Sequence, residues 1–288
     1  MNGFLLVDKP SGMTSHDVVA KIRKRFGTKK VGHAGTLDPM ATGVLVLGLG
    51  VATRLLPYIT DGKKAYDGTI RLGAATHTDD REGDVLSTSD TSALTEEAIR
   101  SGLAAMVGTI MQRPSSVSAI KVDGKSAHQR VREGEVVDLP AREVTIESIT
   151  VGDIRRVDGF LDIDISVHCS AGTYIRSIAR DLGDALNVGG HLTALRRTEV
   201  APFAINECGP FETVDAISAV NGIKRVLPVR TLSMEEMREI SFGRQLEANA
   251  DSSVYAAIAP DGEFAALITN RDFGGKNLAT PIMVAVKE

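Results

Sequence analysis

The chain has no Trp, two Cys and four Tyr among its 288 residues. Cys169 and Cys208 are too few and too far apart for a zinc cluster or a disulfide framework, so two free thiols are expected and no metal site is suggested. There is no GxxxxGK[ST], no HExxH and no GxSxG, which removes the usual support for NTPase, zinc-protease and serine-hydrolase chemistry. GLGVAT at 48–53 lacks the third glycine of a dinucleotide loop, and DDREGD at 79–84 lacks the ligand spacing of a calcium loop. Long apolar runs are also missing. MNGFLLVDKPSG meets Asp8 and Lys9 after a few apolar residues, so it reads as neither a signal peptide nor a membrane span, and a cytoplasmic protein is expected. Positive charge is not in excess either: 33 Lys and Arg face 37 Asp and Glu, a net charge of −4. Taken alone, that balance argues against a nucleic-acid partner, because phosphate binding depends on basic side chains.

What is present is ordinary globular composition, 43% hydrophobic and 24% charged, at a length that suits one large domain with a small appendage. The charge is unevenly spread. Residues 1–70 hold ten Lys and Arg against five Asp and Glu, whereas residues 71–110 hold three against seven and residues 229–288 six against nine. KIRKRFGTKK packs Lys21, Arg23, Lys24, Arg25, Lys29 and Lys30 into ten residues without an acid. By composition such a run is either a solvated helix face or a patch that meets phosphates, and net charge does not decide between them.

TSHDVVAKIRKRF begins at an N-cap, sets Val18, Val19 and Ile22 on one face and ends at Gly27, which predicts an amphipathic helix with the basic run outward. GVLVLGLG at 43–50 predicts a buried strand. AYDGTIRLG at 65–73 and the stretch 143–170 alternate with period two, as antiparallel strands do. Helical patterns appear at 95–108, 173–186 and 213–227, and 79–97 reads as a polar loop leading into a capped helix. Helices and antiparallel strands without a βαβ rhythm predict an α+β fold, a mixed and mostly antiparallel sheet flanked by helices. After Pro228 short apolar pieces separated by turns predict a small β-rich domain docked on the first, giving domains of 1–228 and 229–288.

VGHAGTLDPMATGVL at 31–45 is the stretch richest in chemistry. The residue before a proline is pushed to an extended conformation, so Asp38 sits at a turn into the following strand, where an Asx turn or cap would be its ordinary role. GHxGxLDP, preceded by KPSGMTSH at 9–16, resembles the paired signature of the TruB family of tRNA pseudouridine synthases, which isomerise uridine 55 in the T loop. Six specified residues at fixed spacing recur by chance about once in tens of millions of windows. KKAYDGTIRLGAATHTDDREG at 63–83, CSAGTYIRSIARDLG at 169–183 and GGHLTALRRTEVAPF at 189–203 are similar to further blocks of that family, and the tail resembles its PUA-type RNA-binding domain.

The resemblance implies a pseudouridine-synthase-like fold with a PUA-like tail, and it implies roles. Asp38 falls on the catalytic aspartate, Tyr66 and Tyr174 on the tyrosines that contact the flipped base, Arg176 on the arginine that pairs with the carboxylate, and Leu195 on the leucine of the pocket. His33 falls on the histidine that fills the space left by the target base. Lys9 falls on a Lys-Pro pair at the site's edge, and Asp80 on the acidic residue of a TxDxxG loop. Thr76-His77-Thr78 departs from the TDT read by many members, which puts a local polar contact in doubt. The implied partner is the T stem-loop of tRNA, with no cofactor, metal, membrane or obligatory protein partner, and a monomeric chain. A non-catalytic RNA-folding module and a nucleosidase stand as alternatives; the second calls for another carboxylate, for which Asp80 is the nearby candidate.

Overall fold

The computed structural model describes residues 2–118, 120–122, 124–126, 130, 133, 139–249 and 254–285. Helix α1 (Ser15–Phe26) shows why the local sequence suffices for its element. Thr14 accepts from the Asp17 N–H and Asp17 returns a bond to the Thr14 N–H, a capping box worth about 1 kcal/mol, and Gly27 closes the helix at φ 60°. Val18, Val19 and Ile22 are buried against Leu5, Leu45 and Leu47. The shorter helices are α2 (Leu56–Thr60), α3 (Glu96–Ala104), α4 (Ile175–Ala185), α5 (Ala219–Ile223) and α6 (Met234–Ser241).

The first strands are β1 (Gly3–Lys9), β2 (Val31–His33), β3 (Thr42–Leu49), β4 (Lys64–Leu72), β5 (Ala74–Thr76), β6 (Val85–Thr88) and β7 (Gly108–Gln112). They are followed by β8 (Lys121–Val122), β9 (Lys125–Ser126), β10 (Arg142–Val157), β11 (Phe160–Cys169), β12 (Gly190–Val200), β13 (Phe203–Ala204) and β14 (Ile217–Ser218). Among the described residues ten of these form one sheet in the order β14-β1-β3-β12-β4-β11-β10-β7, with β2 beside β3 and β13 beside β12. Every ladder in it is antiparallel except β3 with β12, which is parallel. The expected α+β class and mostly antiparallel sheet are therefore what the chain adopts.

The β3–β12 ladder has only two register pairs, Thr42 with Arg196 and Gly43 with Arg197. It is the seam between the β14-β1-β3 half and the β12-β4-β11-β10-β7 half. Two consecutive arginines on β12 reach across it. Arg196 forks onto Asp8 and donates to Thr42 Oγ1, and the fully buried Arg197 donates to the carbonyls of Val44, Thr36 and Gly35. The backbones approach so closely that a Cβ on Gly43, at φ 102°, would lie 2.1 Å from the Arg197 carbonyl oxygen.

Strands β15 (Val229–Thr231), β16 (Leu246–Glu247), β17 (Tyr255–Ile258), β18 (Phe264–Phe273) and β19 (Lys276–Val284) form a second sheet, ordered β15-β17-β18-β19-β16. It has its own apolar cluster around Tyr255 and Ile268, and it also shares one with the first sheet, where Ile258, Phe264 and Met283 join Phe4, Val46 and Phe203. The tail docks, as expected for a β piece of that size.

The helix expected over 213–227 shrinks to α5, because Ile217 pairs with Phe4 as a strand and Ser218 then caps a single helical turn and a half. The loop over 79–97 contains the exposed strand β6, paired with β5. Gly43→Ala is expected to destabilise the protein by about 3 kcal/mol or more, since both φ and space forbid the methyl group; urea unfolding curves of the two proteins measure it.

Candidate active site

Asp38 lies in the loop between β2 and β3, and that loop is held from below by the segment that follows β1. Ser15, at the start of α1, accepts from the Leu37 N–H at 2.9 Å and donates to the Leu37 carbonyl at 3.3 Å. The Gly12 N–H donates to the Pro39 carbonyl, and Ser11 Oγ to that of Met40. Lys9 is fully buried, with its amine on the carbonyls of Pro10, Met13 and Pro39; burial drags its pKa from 10.5 to about 8, while the carboxylate of Asp38 pulls the other way. Lys9 thus sits beneath the Asp38 loop and ties it to β1.

Arg176 meets the carboxylate from the other half of the sheet. Its Nη2 donates to Asp38 Oδ1 at 3.1 Å and its Nε lies 2.9 Å from Oδ2, a two-point fork of the kind a planar guanidinium makes and an ammonium does not. The rest of the guanidinium is occupied as well: Nη1 donates to the Thr78 carbonyl and Ser115 Oγ, and Nη2 to the Val117 carbonyl. The Arg176 side chain is 6% exposed and that of Asp38 33%, so the pair is fixed on the arginine side and open on the carboxylate side.

A cleft of about 490 Å³ opens over this pair. Tyr66 on β4, Tyr174 just ahead of α4 and Leu195 on β12 line it with Asp38 and Arg176. Burial raises the pKa of both phenols, so each hydroxyl stays protonated at neutral pH. Asp80 is buried in the loop below: its Oδ1 accepts from Thr78 Oγ1 and the Glu82 N–H, and its Oδ2 lies 3.7 Å from Arg176 Nε. His77, the departure from the family pattern, points outward, while Thr76 donates to the Asp80 carbonyl and Thr78 takes part in the Arg176 cradle.

His33 ends β2 and lines an adjacent groove of about 550 Å³ with Lys29 and Lys30; this groove shares Thr60 and Asp61 with the cleft. Its ring stands edge-on to His16 at 5.3 Å, its Nδ1 is buried without a partner, and burial lowers its pKa. Lys21, Arg23, Lys24, Arg25, Lys29 and Lys30 are all exposed on α1 and the turn after it. Some of these side chains also have structural contacts: Arg23 donates to the Val31 carbonyl, Arg25 to those of Phe211 and Val214, and Lys21 lies over the Phe211 ring.

Four residues at the cleft are not distinguished by the sequence alone. Lys64 and Arg197 line it, the first with its amine on the Thr60 and Gly62 carbonyls and its pKa lowered by burial from 10.5 to about 8. Both stand inside blocks that carry the family resemblance, two residues from Tyr66 and from Leu195 respectively. Ser115 and Gln112 lie in a stretch that carries no motif. Groups of three or more His, Cys, Asp and Glu able to hold a metal are absent among the described residues.

The cleft thus sets a carboxylate gripped by a guanidinium beneath two protonated phenols, beside a groove bordered by Lys29 and Lys30. Residues 23–175 match the model of the TruB family pseudouridylate synthase N-terminal domain. Residues 176–236 match the tRNA pseudouridylate synthase B C-terminal domain, and residues 227–285 the C terminus of tRNA pseudouridine synthase II. The chain is 54% identical over 284 residues to tRNA pseudouridine synthase B of Corynebacterium efficiens, covering 97% of this chain and 95% of that protein. It is 50% identical over 299 residues to that of Arthrobacter sp., covering 99% and 96%. A solved structure of an H/ACA RNP bound to a substrate RNA containing 2'-deoxyuridine shares the fold, with a TM-score of 0.69 at 23% identity over 98% of this chain and 84% of that one. The chain belongs to the TruB family of pseudouridylate synthases. It is an isomerase acting on tRNA.

Arg176→Lys keeps the charge but cannot span both carboxylate oxygens and the three further acceptors. Turnover on tRNA is expected to fall on the order of 100-fold, with tRNA affinity kept; single-turnover rates and filter binding measure the two.

Proposed function

We propose that the protein converts uridine 55 in the T loop of tRNA to pseudouridine, and that the two-point contact of Arg176 on Asp38 inside the cleft carries this reading. The reaction breaks the bond from C1′ to N1, turns the uracil and joins C1′ to C5. The C5 proton goes to water and N1 takes one up, so the atoms balance with no oxidant or imported group. Asp38 is the carboxylate that acts on the nucleotide, whether on the sugar, on the base or on a ribose proton, and each route needs it ionised in a site that excludes water. Arg176 sets its guanidinium against both oxygens of that carboxylate.

To reach Asp38 the uridine leaves its stack, at a cost of a few kcal/mol. Tyr66, Tyr174 and Leu195 receive the base, and stacking returns about 1–3 kcal/mol. His33, neutral through burial, fills the space the base vacates. Residues 1–228 form the catalytic domain and residues 229–288 a PUA-like domain that adds RNA contacts. The enzyme works as a cytoplasmic monomer and assists tRNA folding while its groove holds the T stem-loop. The nucleosidase alternative is disfavoured because Asp80, the second carboxylate it would need, is 3% exposed and committed to Thr78 and Glu82.

Transcripts carrying tritium at C5 of their uridines test the reading: tritium release is expected, absent when position 55 is cytidine, and free uracil among the products would overturn it. Asp38→Asn is expected to abolish release while tRNA binding survives; an equal loss of binding would refute the assignment of chemistry to this carboxylate.

Lys24 and Lys29 are exposed and their side chains make no ion pair or hydrogen bond with the described residues, unlike Arg23 and Arg25. Charge reversal at both is expected to weaken tRNA binding and to flatten the plot of log affinity against log salt by about 0.7–0.9 for each phosphate no longer neutralised. An unchanged slope in binding titrations from low to moderate salt would make the run a solvated face.

A further inference from the structure

Helix α4 begins without the usual side-chain cap. Tyr174 precedes it at φ −101° and ψ 109°, and no hydroxyl or carboxylate of its own turn accepts from the helix amides. The backbone of Tyr174 is held from elsewhere. Gln112, the last residue of β7, accepts from the Tyr174 N–H at 2.8 Å through Oε1 and donates to the Tyr174 carbonyl at 3.0 Å through Nε2. A primary amide presents one acceptor and a donor side by side, so this side chain does for Tyr174 what a partner strand does for a residue in a hydrogen-bonded pair. Gln112 is 2% exposed, and 62 residues separate it from Tyr174.

The residues after Gln112 continue the grip. The Arg113 carbonyl accepts from Ser177 Oγ and from Arg180 Nη2, Ser115 Oγ accepts from Arg176 Nη1, and the Val117 carbonyl accepts from Arg176 Nη2. Residues 112–117 are therefore a strap laid along the first two turns of α4. Gln112 fixes the residue whose ring lines the cleft, and five residues later the same strap fixes the guanidinium that holds Asp38. Gln112 grips the backbone of α4's entry through its side chain, so it can be altered without changing the course of the main chain.

We propose that Gln112 is a positioning residue for the isomerisation: it sets the extended backbone of Tyr174, and with it the ring of Tyr174 and the start of α4 from which Arg176 reaches Asp38. This rests on the reading of Tyr174 as a base contact and of Arg176 as the partner of the acting carboxylate. Without the amide, the Tyr174 N–H and carbonyl are left unpaired and the helix entry relaxes to find other partners. Displacement of about 1 Å at a reacting centre costs on the order of 100-fold in rate.

Gln112→Leu keeps the volume and removes both bonds; Gln112→Glu keeps the acceptor for the Tyr174 N–H and removes the donor to its carbonyl. At saturating tRNA, kcat is expected to fall on the order of 100-fold in Gln112→Leu and by an intermediate factor in Gln112→Glu, with Kd for tRNA within about threefold of the unaltered protein. Single-turnover rates confirm that the loss is in the chemical step. A kcat equal to that of the unaltered protein in either variant, or a loss confined to Kd or KM, overturns the proposal. Should Gln112→Leu fail to fold, Gln112→Glu decides by the same criteria. Inactivity of the unaltered protein toward uridine 55 would refute the functional reading instead, since both variants are compared with it.

Discussion

Almost everything around the cleft follows from one arginine that must be buried and a carboxylate that must not be. Arg176 can lie at 6% exposure only because all three of its nitrogens face oxygens, and two of those oxygens belong to Asp38. Supplying the others demands a turn at Thr78, a hydroxyl at Ser115 and a carbonyl at Val117. Those demands explain why a polar loop at 76–83 and the strap after β7 converge on the N-terminus of α4. Asp80 is buried in the same loop, held by Thr78 Oγ1 and the Glu82 N–H with its Oδ2 3.7 Å from Arg176 Nε.

The pair spans the seam in the sheet. Asp38 hangs from the half that contains β1 and β3, whereas Arg176, Tyr66 and Tyr174 belong to the half built on β12, β4 and β7. Two register pairs make a weak joint, and the structure reinforces it with side chains rather than with a longer ladder. Arg196 works on the solvent side through Asp8. Arg197 works on the buried side through three carbonyls, in contact with the loop that carries Asp38. Glycine at position 43 lets the two backbones close. Arg197 thus lines the cleft and closes the seam at once.

How much of this is legible in the chain depends on the range over which each residue acts. α1 is legible because its cap, its apolar face and its terminator lie within fourteen residues, Thr14 to Gly27. Asp38, Tyr66, Tyr174, Arg176 and Leu195 are legible only through the resemblance, since nothing in the alternation of β4 or the period of α4 says that their side chains meet in one cleft. Gln112 and Ser115 escape because their value lies in partners 62 and 61 residues away. Lys64 and Arg197 read as ordinary strand residues, and only the packed structure shows that their cationic ends are turned onto backbone carbonyls inside. The shortfall at α5 has the same origin: a helical period over 213–227 is outweighed by the pairing of Ile217 with Phe4, more than 200 residues earlier in the chain.

The distance along the chain between Asp38 and Arg176, 138 residues, has a consequence for how the molecule comes to be active. A contact of such separation closes a long loop, and closing that loop carries an entropy cost that the contacts on both sides must offset. No fragment of the chain that lacks either half can bring the carboxylate and the guanidinium together. The meeting of Asp38 with Arg176 is in this sense a readout of docking across the seam.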